Sequence, residues 1–184
     1  IITKTQAAAF ITAEMNRKSF MLFVVMLGGK HPKAKIEVHD VVFVTGNSIE
    51  DCYPELRQQW FGTLAGMHID SWMQVDGIEG YQVRFSEQAP AADELRLFFI
   101  NLGGYTPGAF GEDHHYLLVT AQDKAQAKQK GKMHLPKSWD KPHTDAVLDV
   151  DDCIAIDQIG GRYVRLTPGQ HKETVHQSDY IILG

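Results

Sequence analysis

The chain has 184 residues, with 18 Lys and Arg against 23 Asp and Glu, a net charge of −5, and is 43% hydrophobic and 22% charged. This composition suits one compact domain or two small modules and excludes a disordered tail, a collagen-like fibre and a disulfide-stapled mini-protein. The acidic balance also argues against a general nucleic-acid binder, which needs surplus Lys and Arg to displace counterions. The longest apolar run, residues 20–27, is far short of the roughly 20 residues that span a bilayer. Cys52 and Cys153 stand in no CxxC or zinc-ligand spacing and read as buried free thiols of a reducing cytoplasm, with a disulfide between them as the alternative.

Residues 1–20 begin without Met and contain Met15 followed by Asn16, Arg17 and Lys18. Thr5 suits the cap of a short helix carrying Phe10, Ile11 and Met15 on one side. The segment has no continuous apolar stretch of the kind a secretory signal requires. It reads as an N-terminal extension, partly vector-derived, with a natural start near Met15 or Met21.

Residues 20–27 form an apolar, β-branched run ended by Gly28 and Gly29, the pattern of a strand. A loop with Pro32 follows, then a second predicted strand at 38–45. Ser48 with Asp51 resembles a capping box loosened to Asp. Ile49, Cys52, Tyr53, Leu56 and Trp60 then make a helical stripe, with Pro54 tolerable only in its first turn. Strands are predicted at 69–75 and 81–85, joined by a tight antiparallel turn at Asp76 and Gly77.

From residue 95 the same order returns. Residues 22–48 set over 97–123 without a gap agree at eleven of 27 positions, where about one or two are expected by chance. The shared letters include Leu-Gly-Gly, a Pro, an Ala, Glu-x-His and Val-Thr. Residues 75–85 likewise fall over 156–166. The second copy predicts strands at 95–102 and 114–120, a solvated Ala-, Lys- and Gln-rich helix from Asp123, and strands at 146–151 or 154 and 162–166. Gly160 and Gly161 suit a tight turn there, and a last strand is expected at 180–183. The fold expected is α+β, a tandem duplication of a ββαββ (cyclically βαβββ) module with mainly antiparallel sheets, each covered by one helix. Residues 21–94 form the first module and 95–184 the second. A homodimer is the default assembly.

Glu37 with His39, and Glu112 with His114, are the residues most suited to chemistry. Two positions apart on a strand they point to one face. A pseudo-two-fold axis that gathers both pairs would make a site for Zn, Fe, Ni or Mn, or a metal-free acid–base pair. The plainer reading is a His hydrogen-bonded to its Glu, pinning the Pro loop. Gly28, Gly29, Pro32, Gly103, Gly104 and Pro107 are expected to form a structural turn or a ligand-binding loop, the glycines allowing positive φ. A dinucleotide loop is disfavoured, because Gly103 to Gly111 lead into a strand rather than a helix, and Lys33 and Ile36 stand where Gly108 and Gly111 do.

Asp149, Asp151 and Asp152 suggest a polar edge or a calcium site, and His68 and Asp70 occupy the matching places of the first copy. Lys124, Lys128, Lys130, Lys132, Lys137 and Lys141 read as a solvated face or a contact for an acidic partner. Trp60, Trp72, Trp139, Met67 and Met73 read as core or interface.

The blocks from Leu27 to His39 and from Leu102 to His114, both LGGxxPxAxxExH, resemble the bacterial family called domain of unknown function 1543. The resemblance covers residues 21–125 and implies a two-copy member, without an activity. A looser similarity of element order is to the vicinal-oxygen-chelate, or glyoxalase-like, fold, whose first strands often supply metal ligands. That fold commonly has an acid on its last strand, where residues 98–102 and 180–183 have none. The expected function is a non-catalytic cytoplasmic ligand-binding or assembly module without membrane attachment. The alternative is a metal-dependent enzyme or metal-binding protein using Glu37, His39, Glu112 and His114.

Overall fold

A computed structural model describes residues 20–139 and 150–184. The expectations for residues 1–19, Lys141 and Asp149 fall outside the described residues. In chain order the first elements are β1 (Met21–Gly29), β2 (Val38–Gly46), a 3-10 turn (Glu50–Cys52) running into α1 (Tyr53–Gln59), β3 (His68–Val75), β4 (Gly77–Ile78) and β5 (Tyr81–Ser86). There follow β6 (Arg96–Gly104), β7 (Asp113–Ala121), α2 (Lys124–Lys132), β8 (Val150–Ala155), β9 (Gln158–Ile159), β10 (Arg162–Pro168), β11 (Val175–Gln177) and β12 (Ile181–Ile182). No helix among the described residues is long and apolar enough to cross a membrane.

The protein is α+β and mainly antiparallel, and it forms two compact units. The first takes residues up to Gln74 together with His176–Gly184, and the second takes Val75–Val175.

In the first unit the sheet runs β11-β3-β1-β2, with β12 also paired to β3. The strand β1 is central and buried along most of its length, as its unbroken apolar sequence requires. Phe23, Val25 and Leu27 face α1 and pack with Val42, Val44, Leu56, Trp60 and Met67. Pro54 sits in the first turn of α1, where its missing N–H has no partner to lose. The capping expectation needs correction: Ile49 precedes the turn without a side-chain cap, and Asp51 accepts from the Asn47 backbone N–H (3.2 Å) and amide (3.1 Å). Cys52 is buried and free, and burial, followed by Glu55 and Asp51, pushes its thiol up to about 12.

In the second unit β6 lies between β7 and β8, with α2 over the face carrying Phe98, Ile100 and Leu102. Asp123 caps α2 by accepting from the Gln126 N–H at 2.8 Å. This helix buries only Ala127 and Gly131, and a Cβ at Gly131 would stand 2.9 Å from Ile100. Small residues let a polar helix lie close to the sheet. Cys153 is likewise free and buried.

The closing strands depart from expectation. Gly77 lies in β4 rather than in a turn, and β5 pairs with β4 and β10 instead of β3. The tight turn is at Glu79 and Gly80, with φ of 52° and 83°. A non-glycine at positive φ is strained, and here the side chain compensates. The Glu79 carboxylate accepts from the Thr120 N–H (3.2 Å), the Thr120 hydroxyl (2.5 Å) and the Lys130 ammonium (2.9 Å). Burial alone would push its carboxyl up, but the bonds from Thr120 and Lys130 prevail and hold it below its ordinary value. A carboxylate depressed in this way contributes stability above the unfolded value and loses it as pH falls through the folded one. Glu79→Ala is therefore expected to cost about 1–3 kcal/mol in urea unfolding at pH 7, because buried Thr120 loses its partner. The cost should shrink below about pH 4. An equal cost at pH 7 and pH 3 would count against this assignment.

Candidate metal centre

The hairpin of β1 and β2 places Gly28 opposite His39, and that of β6 and β7 places Gly103 opposite His114. Paired residues share a face, so each histidine stands beside a position with no side chain. The two glycines of each pair alternate across their sheet. A Cβ at Gly28 would stand 2.5 Å from His68 Nε2 and 2.6 Å from Asp70 Oδ2, whereas one at Gly29 would meet the Trp60 indole at 3.0 Å. Gly103 lies likewise under Asp151 and Glu112, and Gly104 under the Trp139 ring. The expectation of positive φ at these four positions is thus corrected: all lie within strands, and it is space that excludes a side chain. The Pro loops are turns, with the Ala34 N–H bonded to the His31 carbonyl (2.9 Å) around Pro32 and the Ala109 N–H to the Thr106 carbonyl (3.0 Å) around Pro107.

Over Gly28 four groups converge, all from the first unit. His39 Nε2 is 3.3 Å from Glu37 Oε1 and 3.2 Å from Asp70 Oδ2. His68 Nε2 is 3.5 Å from Glu37 Oε1 and 3.3 Å from Asp70 Oδ1. Glu37, His68 and Asp70 each bring one ligand atom within 4.8 Å of the others. Bonds of 2.0–2.2 Å to a transition metal give neighbouring ligands about 3.0–3.5 Å apart, and the four imidazole–carboxylate distances are of that order.

His68 is the decisive side chain. It is 1% exposed, and its Nδ1 lies 2.9 Å from the Gly66 carbonyl, which can only accept, so Nδ1 carries hydrogen. Nε2 then faces two carboxylates. Neither His68 Nε2 nor the buried Asp70 Oδ2 makes a hydrogen bond. An N–H at Nε2 would align with one carboxylate, whereas a metal ion draws ligands toward a common centre. A histidine held through Nδ1 by a backbone carbonyl, with Nε2 aimed at carboxylates, is the usual preparation of a metal ligand. Glu37 and His39 are about half exposed, which leaves one side of the cluster open to solvent.

The second unit brings Glu112, His114 and Asp151 within 4.8 Å of one another, all exposed. His114 Nδ1 is 3.1 Å from Asn101 Oδ1 and 3.5 Å from Asp151 Oδ2. Its ring lies parallel to Tyr116, whose phenol is pushed above its ordinary value by burial and then by Asp152 and Asp151. Both Glu-x-His pairs thus gain an acid from the strand across β1 or β6. The sequence marks His68, Asp70 and Asp151 as matching positions, but by itself sets them on a polar edge, apart from the Glu-x-His pairs. The missing signal was strand order: β3 and β8 flank β1 and β6 on the side away from the histidines. Of the lysine group, Lys130 is held by Glu79.

A family model described as Domain of Unknown Function (DUF1543) matches residues 34–85, the segment that contains Glu37, His39, His68 and Asp70. The crystal structure of a protein Il1583 from Idiomarina loihiensis is similar, with a TM-score of 0.68 at 30% identity, over 90% of this chain and 99% of that one. The chain belongs to the DUF1543 family. No curated protein matches it. The glyoxalase-like similarity finds no support in these comparisons. As a DUF1543 member the chain inherits no activity, so its function has to be argued from its own residues.

Proposed function

We propose that this protein binds a divalent first-row transition metal through Glu37, His39, His68 and Asp70. The observation carrying this reading is the buried His68 imidazole, tethered at Nδ1 and unbonded at Nε2, facing two carboxylates. Two imidazoles and two carboxylates suit Zn, Fe, Ni or Mn rather than a hard cation that takes only oxygen. The half-exposed edge at Glu37 and His39 leaves room for water or an exogenous ligand on the metal. The Glu112, His114 and Asp151 cluster, with one imidazole and no buried ligand, is the weaker site of the two. We place the protein in a reducing cytoplasm, which the free, buried Cys52 and Cys153 support.

Elemental analysis of protein purified without chelator or metal-affinity tag tests this, followed by titration with Zn²⁺, Mn²⁺, Fe²⁺ and Ni²⁺. One tight equivalent per chain is expected, with a second binding at least about 10-fold more weakly. The nearly isosteric pair Glu37→Gln and Asp70→Asn should remove the tight equivalent while leaving the circular dichroism unchanged. Wild-type protein that holds no metal and takes up none of the four ions would overturn the proposal.

A further inference from the structure

The segment spanning β11 and β12 runs along β3, the strand that carries His68 and Asp70. Ile181 pairs with Ile69 and Ile182 with His68. Strand alternation therefore puts Tyr180 and Ile182 on the His68 side. The Tyr180 ring lies against the His68 imidazole, with centroids 4.3 Å apart and planes inclined by 36°.

The segment is anchored next to this contact. Leu183 is buried in the core, its N–H donates to the Met67 carbonyl at 2.8 Å, and its own carbonyl accepts from Arg57 Nε at 2.6 Å. Tyr180 itself remains 67% exposed, so its large ring adds little apolar burial to the fold. Its ring contact is with a residue of the proposed metal cluster.

We infer that Tyr180 is a positioning residue of the metal centre, holding the His68 imidazole in its coordinating orientation, so that the β11–β12 segment is part of the site. This rests on the metal-binding reading. Two restraints are needed to hold a ring. The Gly66 carbonyl fixes one edge through Nδ1, which still permits the imidazole to tilt about that bond. The tyrosine against its face blocks the tilt, and the aim of Nε2 between Glu37 and Asp70 follows. Partners that orient a ligand in this way typically contribute about 10–100-fold in metal affinity.

Cobalt(II) is the probe, since its visible bands report coordination geometry as well as occupancy. Tyr180→Ala is expected to weaken Co²⁺ binding by about 10-fold and to change the band shape, with the thermal midpoint of the metal-free protein unchanged. Tyr180→Phe retains the ring and should match wild type in both. An alanine variant with wild-type affinity and spectrum would overturn the inference. So would a phenylalanine variant as weak as alanine, because the hydroxyl and not the ring against His68 would then be at work. Wild-type protein without any Co²⁺ spectrum would instead overturn the metal-binding reading beneath it.

Discussion

Gly28→Ala is expected to weaken transition-metal binding by at least about 100-fold, or about 2.7 kcal/mol. The added methyl would stand 2.5 Å from His68 Nε2 and 2.6 Å from Asp70 Oδ2, with His39 Cδ2 at 3.2 Å. Asp70 is partly exposed and can swing aside. His68 is buried and tethered to Gly66, so it cannot move without breaking that bond. The methyl occupies the space between the ligands, and the open edge at Glu37 gives no relief. Gly29→Ala, one residue on, provides the contrast. Its methyl points to the other face, 3.0 Å from the Trp60 ring and 3.4 Å from Met67 Cα, and strains the core by about 1–3 kcal/mol. Chelator competition and thermal unfolding on the two variants should thus separate cleanly: the first loses metal, the second loses stability. Equal metal affinity in Gly28→Ala and wild type would show that the cluster does not bind through the space above this glycine.

Phe23→Ala and Phe98→Ala are each expected to destabilise the protein by about 3–5 kcal/mol. The two residues occupy matching places in the repeated blocks, and each is 1% exposed at the centre of its own sheet. Phe23 packs edge-on against Trp72, with ring centroids 5.7 Å apart. Phe98 has the Arg96 guanidinium over its ring at 5.7 Å. Truncation removes the transfer free energy of the ring and leaves a cavity that the surrounding strands, tied in register on both sides, fill poorly. Urea unfolding followed by tryptophan fluorescence measures the loss. A change below about 1 kcal/mol in either variant would mean that the strand packs elsewhere than described.

Much of the architecture was legible because it is written in local pattern. Apolar runs closed by Gly-Gly, Pro54 near a helix start and the helix beginning at Asp123 all depend on neighbours within a few residues. The same holds for Glu37 and His39, which two-residue periodicity puts on one face. What escaped reading depends on partners distant in sequence. Gly28 and Gly103 look like turn glycines because the letter shows that a side chain is forbidden without showing what forbids it. His68, Asp70 and Asp151 were visible as matched positions, yet their role follows from β3 and β8 lying beside β1 and β6. The turn at Glu79 was misplaced to Asp76 and Gly77 because a glutamate at positive φ makes sense only once Thr120 and Lys130 are beside it.

The pairing of β5 with β10, and of β12 with β3, ties distant parts of the sequence together. Each pairing takes one strand from either half of the repeat. A fragment cut at the repeat boundary would leave β5 without β10 and β3 without β12, two bare edges ready to recruit strands from other molecules. A lone copy could satisfy both edges by trading those strands with a second lone copy. The single chain supplies both strands itself, at an effective concentration that a separate fragment would not reach. With both partners in one chain the two pairings are intramolecular, so neither edge depends on protein concentration to be covered.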